Sequence, residues 1–511
     1  MRYLDLVRAA ATRFGDKTAV VGDDRRISFA ELDDQVGRLG AVLRDAGLRP
    51  GDRVALLAAN EPEYLEIQAA CLRSGFALVP LNVRLAQREL HFILTDCTPS
   101  LLVVGRREER RGAALAREAG IANVLGLGGP REIPSYDAAL DAASAGPAAD
   151  PDDPELPATI LYTSGTTGSP KGAVIDRLGF TARVMVNAVE LEVRSDDVHQ
   201  ASLPMFHIAA FLAYAHTLAG ATVVMLPEFE PALALRTMER ERVTTTVLVP
   251  TIIAMLLDNP AIDGIDLSAL RLIIYGGSSI EPGPLRRALE RFGCGFHQQY
   301  GMTETGGQTI LRPADHDSAD IERLASAGTE AASLEVMVVD DEDVPVARGE
   351  VGEIVCRGPS VMLRYWNRPE ATAEALRGGW MHTGDMGYRD GRGYLHITDR
   401  RNDMIITGGE NVYPREVEAV LVEHPDITEL AVVGVPDPKW GQVVTAVVVG
   451  DAPPDDELGT WARERMAGYK VPRRWVRVDG LPRNVTGKVL KHQLRTELSE
   501  LSARTERPEP E

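Results

Sequence analysis

A segment rich in glycine and hydroxyl side chains, with a single lysine, follows the predicted strand at residues 159–162. It reads Thr163-Ser164-Gly165-Thr166-Thr167-Gly168-Ser169-Pro170-Lys171-Gly172. Glycines let the backbone approach a ligand closely, the hydroxyls donate hydrogen bonds, and the lysine supplies positive charge, so the segment predicts a polyphosphate site. The spacing of a Walker A loop is absent. Composition alone also permits a flexible surface loop.

Other short motifs follow one another along the chain. They are Ile27-Ser28-Phe29-Ala30-Glu31-Leu32, Arg73-Ser74-Gly75-Phe76-Ala77-Leu78-Val79-Pro80, Gln299-Tyr300-Gly301-Met302-Thr303-Glu304, Gly352-Glu353-Ile354, Tyr365-Trp366-Asn367-Arg368-Pro369, Thr383-Gly384-Asp385, Gly408-Gly409-Glu410-Asn411 and Pro482-Arg483-Asn484-Val485-Thr486-Gly487-Lys488. In spelling and order, the chain resembles the adenylate-forming (AMP-binding) superfamily, in its acyl-CoA synthetase branch, over nearly its whole length.

The resemblance implies a reaction in two steps. A carboxylate attacks the α-phosphate of ATP to give an acyl-adenylate and pyrophosphate, and the thiol of CoA then displaces AMP. Because both steps concentrate negative charge, the site needs donors, a cation and Mg²⁺ rather than a covalent nucleophile. ATP, Mg²⁺ and CoA are therefore the expected cofactors and co-substrates.

The same resemblance implies roles for individual residues. The nucleotide would be bound by Thr163, Ser164, Gly165, Thr166, Thr167, Gly168, Lys171, Gly277, Ser278, Tyr300, Gly301, Asp385 and Arg400. The catalytic residues would be Lys488, Thr303 and His207, and Glu304 would bind the metal. Taken singly, these residues also fit ordinary structural roles: a surface acid, a turn-capping aspartate, a core tyrosine or histidine, an exposed lysine.

The acceptor side of the reaction involves the C-terminal part of the chain. Gly408 and Gly409 would form a narrow passage for pantetheine, and Trp440 and Lys470 would contact CoA, although a solvated charged face explains the lysine equally well. Asn402 occupies the hinge position, where relatives usually have Asp or Lys; Asn tolerates unusual backbone angles, so rotation stays feasible.

The acid substrate is expected to bind near the segment 204–211, with Ile252, Met255 and Met302 as apolar neighbours and Gly306-Gly307 leaving space. No arginine occurs in these segments, which favours an uncharged tail. The first expectation for the substrate is a medium- or long-chain fatty acid, and the second is a benzoate-like aryl acid. The sequence is also compatible with a ligase that loads a carrier protein, a catalytically dead ATP-binding regulatory protein or a plain ATP hydrolase.

The elements that must position these residues alternate between short β-branched runs and helical patterns. This alternation predicts an α/β fold with parallel layers. We expect a large multi-layer N-terminal domain over residues 1–401 and a small, mobile α+β C-terminal lid over 402–511 that carries Lys488. Pro- and Asp-rich stretches at 142–157 and 451–457 are predicted to be loops.

Composition limits the other classes of function. The 511 residues include 55 Lys and Arg against 75 Asp and Glu, a formal net charge of −20, which disfavours a general nucleic-acid or anionic-membrane binder. Four cysteines without paired spacing fit reduced thiols. Without a signal peptide or a long apolar run, we expect a soluble cytoplasmic protein with no integral membrane segment. The sequence does not determine the oligomeric state, and a homodimer is one possibility.

Overall fold

The structure is a computed structural model, in which the chain forms two compact units. Unit 1 comprises Met1–Val336 and Cys356–His382, and unit 2 comprises Met337–Val355 and Thr383–Glu511. The residues that the structure describes are 5–22, 25–128, 132–146, 153, 155–163, 170–278, 280, 282–400, 403–407, 410–437, 440–450, 452–483 and 489–505, without the side chains of 399, 400, 410, 411 and 501–505.

The first third of unit 1 alternates helices with short strands. In chain order these are α1 (Leu6–Phe14), β1 (Thr18–Val21), β2 (Arg26–Ser28), α2 (Phe29–Asp45), β3 (Arg53–Leu57), α3 (Glu63–Ser74), β4 (Ala77–Pro80), α4 (Gln87–Cys97), β5 (Leu101–Val104), α5 (Glu109–Glu118), β6 (Val124–Gly126) and α6 (Tyr136–Ala142). The Ile27–Leu32 motif starts α2 with a capping box, because the Ser28 hydroxyl accepts from the Glu31 amide and the Glu31 carboxylate accepts from the Ser28 amide.

The alternation continues through the rest of unit 1. Next come β7 (Pro157–Thr163), β8 (Lys171–Asp176), α7 (Arg177–Glu190), β9 (Val198–Ala201), α8 (Ala209–Ala219), β10 (Thr222–Met225), α9 (Pro231–Arg240), β11 (Thr245–Leu248), α10 (Pro250–Leu257), β12 (Leu272–Gly276), α11 (Pro282–Phe292), β13 (Gly295–Met302), β14 (Gly306–Leu311), α12 (Ile321–Leu324) and β15 (Thr329–Glu330).

The remaining elements include those of unit 2. They are β16 (Glu335–Val339), β17 (Gly352–Arg357), β18 (Arg364–Tyr365), α13 (Pro369–Ala375), β19 (Met381–Arg389), β20 (Leu395–Arg400), β21 (Ile405–Thr407), β22 (Glu410–Val412), α14 (Pro414–Leu421), β23 (Glu429–Asp437), β24 (Gly441–Val449), α15 (Asp455–Arg463), β25 (Arg474–Val478) and α16 (Lys491–Thr505). No helix among the described residues is both long enough and apolar enough to span a bilayer.

Unit 1 is built on two large, mainly parallel sheets. One has the order β15-β14-β13-β12-β11-β9-β10-β1-β2 and the other β18-β8-β7-β4-β3-β5-β6. Antiparallel pairing is confined to the ends of these sheets, at β1–β2, β13–β14, β14–β15, β7–β8 and β8–β18. Each sheet buries its own apolar cluster under the neighbouring helices. The predicted α/β class is confirmed.

Unit 2 contains a four-stranded sheet, β16-β17-β19-β20, and a second sheet ordered β22-β21-β24-β23 with β25 paired to β24. Alternate residues of β24 enter two different apolar clusters: Val444, Ala446 and Val448 lie in one, Val443 and Val447 in the other. Because successive side chains of a strand point to opposite faces, this strand is buried on both sides.

Most strands predicted from the sequence are present, with ends that agree within a few residues. One boundary prediction is wrong: 451–457 is not entirely loop, because α15 begins at Asp455. Pro454 stands just before the first turn, and three acidic residues, Asp455, Asp456 and Glu457, complement the positive end of the helix dipole there. The predicted domain boundary lies between residues 401 and 402, whereas the two compact units divide at 336/337, 355/356 and 382/383. The predicted boundary concerns rotation of a C-terminal lid, and it stays a prediction.

Candidate active site

The predicted phosphate loop joins two antiparallel strands. Thr163 ends β7 opposite Lys171, which begins β8, and the Thr163 hydroxyl donates to the Lys171 carbonyl oxygen at 3.4 Å. This pairing fixes the positions of the two residues that flank the loop, Thr163 before it and Lys171 after it. Ser164, Gly165, Thr166, Thr167 and Gly168 lie outside the described residues.

Tyr365 connects this lysine to the predicted metal ligand. It lies on β18, opposite Ala173 of β8, and the Lys171 ammonium is 5.4 Å from the centroid of its ring. Its hydroxyl donates to Oε1 of Glu304 at 2.8 Å. Burial and the nearby Glu304 carboxylate both raise the pKa of Tyr365, so the hydroxyl stays a donor at neutral pH. Lys171 and Glu304 therefore both contact Tyr365, one near its ring and the other at its hydroxyl.

The residues predicted for adenine lie at the carboxyl ends of two neighbouring parallel strands. Gly276 of β12 pairs with Gln299 of β13, so Gly277 and Tyr300 each follow one member of this pair. Gly277 has φ +81°, in the left-handed region that favours glycine, and Ser278 is exposed next to it. In open parallel sheets, ligands bind at this edge, so the geometry suits a nucleotide base.

Thr303 and Glu304 occupy the turn between β13 and β14. Gly301 makes this hairpin feasible, since a Cβ there would stand 1.8 Å from the Gly306 carbonyl oxygen. Glu304 is 5% exposed. No group of three or more His, Cys, Asp or Glu within the described ranges forms a metal cage. A single carboxylate fits Mg²⁺ bound with a nucleotide, because this ion keeps waters and phosphate oxygens as its other ligands.

His207 lies in the segment before α8, stacked edge-on against Phe206 with ring centroids 4.6 Å apart. Burial, with a smaller effect from Arg84, lowers the pKa of His207 to about 4, so the ring is neutral at pH 7. Its Nε2 has no hydrogen-bond partner in the described part of the chain. Asn60 fixes the preceding segment by donating to the Leu203 carbonyl oxygen at 2.9 Å and accepting from the Met205 amide at 2.8 Å.

A narrow cavity adjoins this turn and the start of α8. Its volume is about 10 Å³, room for about one water molecule, and it is lined by Arg183, Val186, Asn187, Ile208, Phe211, Gln299, Gly306, Gly307, Ile310, Ala331 and Ser360. The expectation for Gly306-Gly307 agrees with this lining. Ile252, Met255 and Met302 are not among the lining residues: Ile252 packs against the core of the nine-stranded sheet, Met255 is 45% exposed, and Met302 ends β13.

Arg183 of α7 qualifies one inference from the sequence. No arginine occurs in the segments from which an uncharged substrate tail was inferred, but Arg183, which is 3% exposed, lines this cavity. Its Nη1 donates to the Thr303 carbonyl oxygen at 2.9 Å and its Nε to the Ser360 carbonyl oxygen at 2.8 Å. The arginine therefore supports the backbone of the Thr303–Glu304 turn.

In unit 2, Asp385 is directly opposite Arg400 on the antiparallel strands β19 and β20. Asp385 is 7% exposed, and its amide donates to the Thr383 hydroxyl at 3.0 Å. Gly384 has φ +71° and donates to the Glu353 carboxylate at 3.1 Å. The backbone thus places together the two residues predicted to contact ribose, one from each strand.

The predicted CoA residues that the structure describes lie in unit 2 as well. The Arg473 guanidinium stacks on Trp440 at 4.1 Å from the ring centroid, and the Trp440 amide donates to Asp437 at 2.9 Å. Lys470 forms an ion pair with Glu416, so its charge is partly neutralised. Gly408, Gly409, the hinge residue Asn402 and Lys488 lie outside the described residues, as does the Arg400 side chain.

Three side chains important to this geometry were not predicted as functional residues. Tyr365 stood within a quoted motif without a role, and Arg183 and Asn60 stood in no motif. Their contacts reach far along the chain: Tyr365 to Glu304, Arg183 to Thr303, Asn60 to Met205. Only Tyr365 carried a local signal, its place in an ordered motif.

Comparison with known proteins agrees with the site. The family model described as AMP-binding enzyme matches residues 7–366, and the AMP-binding enzyme C-terminal domain matches 416–488. Feruloyl-CoA synthase of Amycolatopsis sp. is 41% identical over 94% of this chain and 95% of its own length. Indoleacetate–CoA ligase of Aromatoleum aromaticum is 40% identical over 94% of each chain.

Solved structures give the same result. Amide bond synthetase McbA from Marinactinospora thermotolerans superposes with a TM-score of 0.89 at 35% identity, covering 96% of this chain and 99% of McbA. The chain therefore belongs to the AMP-binding enzymes of the adenylate-forming superfamily, in the acyl-CoA synthetase branch, whose members are AMP-forming acid–thiol ligases that use ATP, Mg²⁺ and CoA.

Proposed function

We propose that this protein joins an aromatic carboxylic acid to CoA through an acyl-adenylate, releasing AMP and pyrophosphate. The main support is the similarity over almost the whole chain to feruloyl-CoA synthase and to indoleacetate–CoA ligase. The names of these two relatives denote aromatic acids. We therefore prefer an aryl acid as the substrate over the fatty acid that was expected first from the sequence.

The proposed roles follow the geometry of unit 1. Lys171 would neutralise phosphate charge, the Thr303 hydroxyl would contact the α-phosphate, and Glu304 would hold Mg²⁺, whose charge lowers the barrier to attack on phosphorus. Neutral His207 would orient the substrate carboxylate without adding a proton at pH 7.

Other roles remain proposals from the family resemblance. They are nucleotide binding by Ser164–Gly168, Gly277, Ser278, Tyr300 and Gly301, ribose contacts by Asp385 and Arg400, charge stabilisation by Lys488, CoA contacts by Gly408, Gly409, Trp440 and Lys470, and rotation at Asn402. The cytoplasmic location and the homodimer option likewise remain predictions.

The decisive experiment supplies ATP, Mg²⁺ and CoA with matched aryl and fatty acids and follows products by mass spectrometry. The expected result is an aryl-CoA thioester and AMP. Because McbA is named for amide bond synthesis, parallel samples contain a simple amine or a phosphopantetheinylated carrier protein in place of CoA. Thioester formation with fatty acids alone, or product only with the amine or the carrier, would contradict the proposal.

A further inference from the structure

A buried cation faces the cavity with unused hydrogen-bonding capacity. Nη2 of Arg183 has no hydrogen-bond partner among the described residues, although the side chain is 3% exposed. A buried donor without a partner costs free energy, and a buried charge costs more. The Nη2 group is therefore available for a ligand atom that enters the cavity.

The hydrogen bonds of Arg183 do not neutralise its charge. Its two acceptors, the carbonyl oxygens of Thr303 and Ser360, are neutral, and it forms no ion pair in the portion of the chain that the structure describes. Burial lowers the pKa of Arg183 to about 9, opposed chiefly by the nearby Glu304 carboxylate, so the guanidinium is still a cation at neutral pH. A group with a negative charge or a strong acceptor oxygen would stabilise it.

The other polar side chains of the cavity are already paired with the protein. Gln299 donates to the Asn187 side-chain oxygen at 2.9 Å, and Asn187 donates to the Arg183 carbonyl oxygen at 2.8 Å. The rest of the lining is largely apolar, with the Phe211 ring centroid 5.1 Å from the Arg183 guanidinium carbon. The cavity has room for about one oxygen atom, so a substituent oxygen can reach the guanidinium while the ring of the acid stays at the open mouth.

We propose that Arg183 determines substrate specificity by binding an oxygen acceptor, a carboxylate or a hydroxyl, on the part of the acid that is not activated. The inference rests on the proposed ligase function and narrows its substrate to aromatic acids that carry such a substituent.

The test compares benzoate, phenylacetate and cinnamate, each with a para-methyl, para-hydroxy or para-carboxy group, in CoA-thioester formation by the full-length enzyme. For the wild type, we expect kcat/KM to be at least about tenfold higher with an oxygen substituent than with methyl, because a site built for a polar group rejects the analogue that lacks it. A higher value for para-carboxy identifies an anionic substituent, and a higher value for para-hydroxy a neutral one.

Arg183→Met should remove or reverse this preference, and Arg183→Lys should retain part of it for the carboxylate. An equal loss for every acid would mean that Arg183 only supports the Thr303 turn, which overturns the assignment. If Arg183→Met does not fold, the selectivity of the wild-type enzyme is the test by itself. A wild-type enzyme that shows no preference for oxygen substituents would then overturn the assignment of Arg183. If thioesters form without such a preference, the ligase proposal stays intact. If no acid gives a thioester, the ligase proposal itself is wrong.

Discussion

The hydroxyl of Tyr365 donates to the Glu304 carboxylate at 2.8 Å, so the carboxylate expected to hold Mg²⁺ is oriented by an aromatic residue 61 positions away in the sequence. The same ring lies beside the Lys171 ammonium. One side chain thus contacts both the lysine proposed to bind phosphate and the carboxylate proposed to bind Mg²⁺, and replacing it should affect metal dependence before it affects folding.

We expect Tyr365→Phe to raise the Mg²⁺ concentration for half-maximal carboxylate-dependent pyrophosphate exchange by about tenfold, because a hydrogen bond to a charged group contributes roughly 1.5–3 kcal/mol. Tyr136→Phe is the control, since Tyr136 also donates to a buried carboxyl group, that of Glu66 at 3.4 Å, far from Glu304 in the sequence. An unchanged Mg²⁺ dependence in Tyr365→Phe would contradict this role.

Lys488→Ala should lower the rate of acyl-adenylate formation by about 100-fold and leave thioester formation from synthetic acyl-AMP nearly unchanged, because a cation aimed at developing charge acts in the first step only. The two steps are measured separately by pyrophosphate exchange and by consumption of acyl-AMP. Lys491→Ala is the matched control, because Lys491 pairs with Glu418 at 2.9 Å. Equal losses in both steps would argue against a mobile lid.

The stack of Arg473 on Trp440 should contribute to CoA binding. We expect Arg473→Met to raise the KM for CoA about fivefold, from the loss of one charge near phosphate and of a cation–π contact of about 1 kcal/mol, with pyrophosphate exchange unaffected. Arg465→Met removes a stack of the same length, 4.1 Å, on Trp461 and serves as the control. A similar KM change in both variants would contradict a specific CoA contact.

Acid should destabilise the protein through buried histidines. Burial, with smaller effects from His316 and Arg312, lowers the pKa of His297 to about 3 from its ordinary value near 6.5. Between these values the unfolded chain binds the proton and the folded chain does not, so the free energy of unfolding falls as pH decreases, by about 1.4 kcal/mol per pH unit for each such proton.

The melting temperature should therefore drop between pH 6.5 and 4, and His297→Leu should drop less than the wild type. Neither ring nitrogen of His297 has a hydrogen-bond partner in the described ranges, so an apolar replacement loses no such bond. His492→Leu, at an exposed position, should follow the wild type. Identical pH profiles for all three proteins would refute this account.

Local patterns were sufficient for much of the fold. The β-branched runs at Arg53–Leu57, Ala77–Pro80 and Leu101–Val104 predict the strands found there. Arg183 shows the limit of such reasoning: on a helix, an arginine is normally a solvated residue, and its burial depends on acceptors 120 and 177 positions away. The motifs predicted Glu304, but the tyrosine that orients it is defined only by the pairing of β18 with β8.

The close approach of Gly301 to Gly306 has a consequence for altering what this enzyme accepts. Where the hairpin strands meet, backbone faces backbone, and a Cβ at residue 301 would overlap the Gly306 carbonyl. Laboratory evolution cannot reshape the cavity from that side by placing a side chain at residue 301. A library restricted to Val186 of α7, Ile208 just before α8 and Phe211 of α8 varies lining residues outside the hairpin and leaves the turn that carries Thr303 undisturbed.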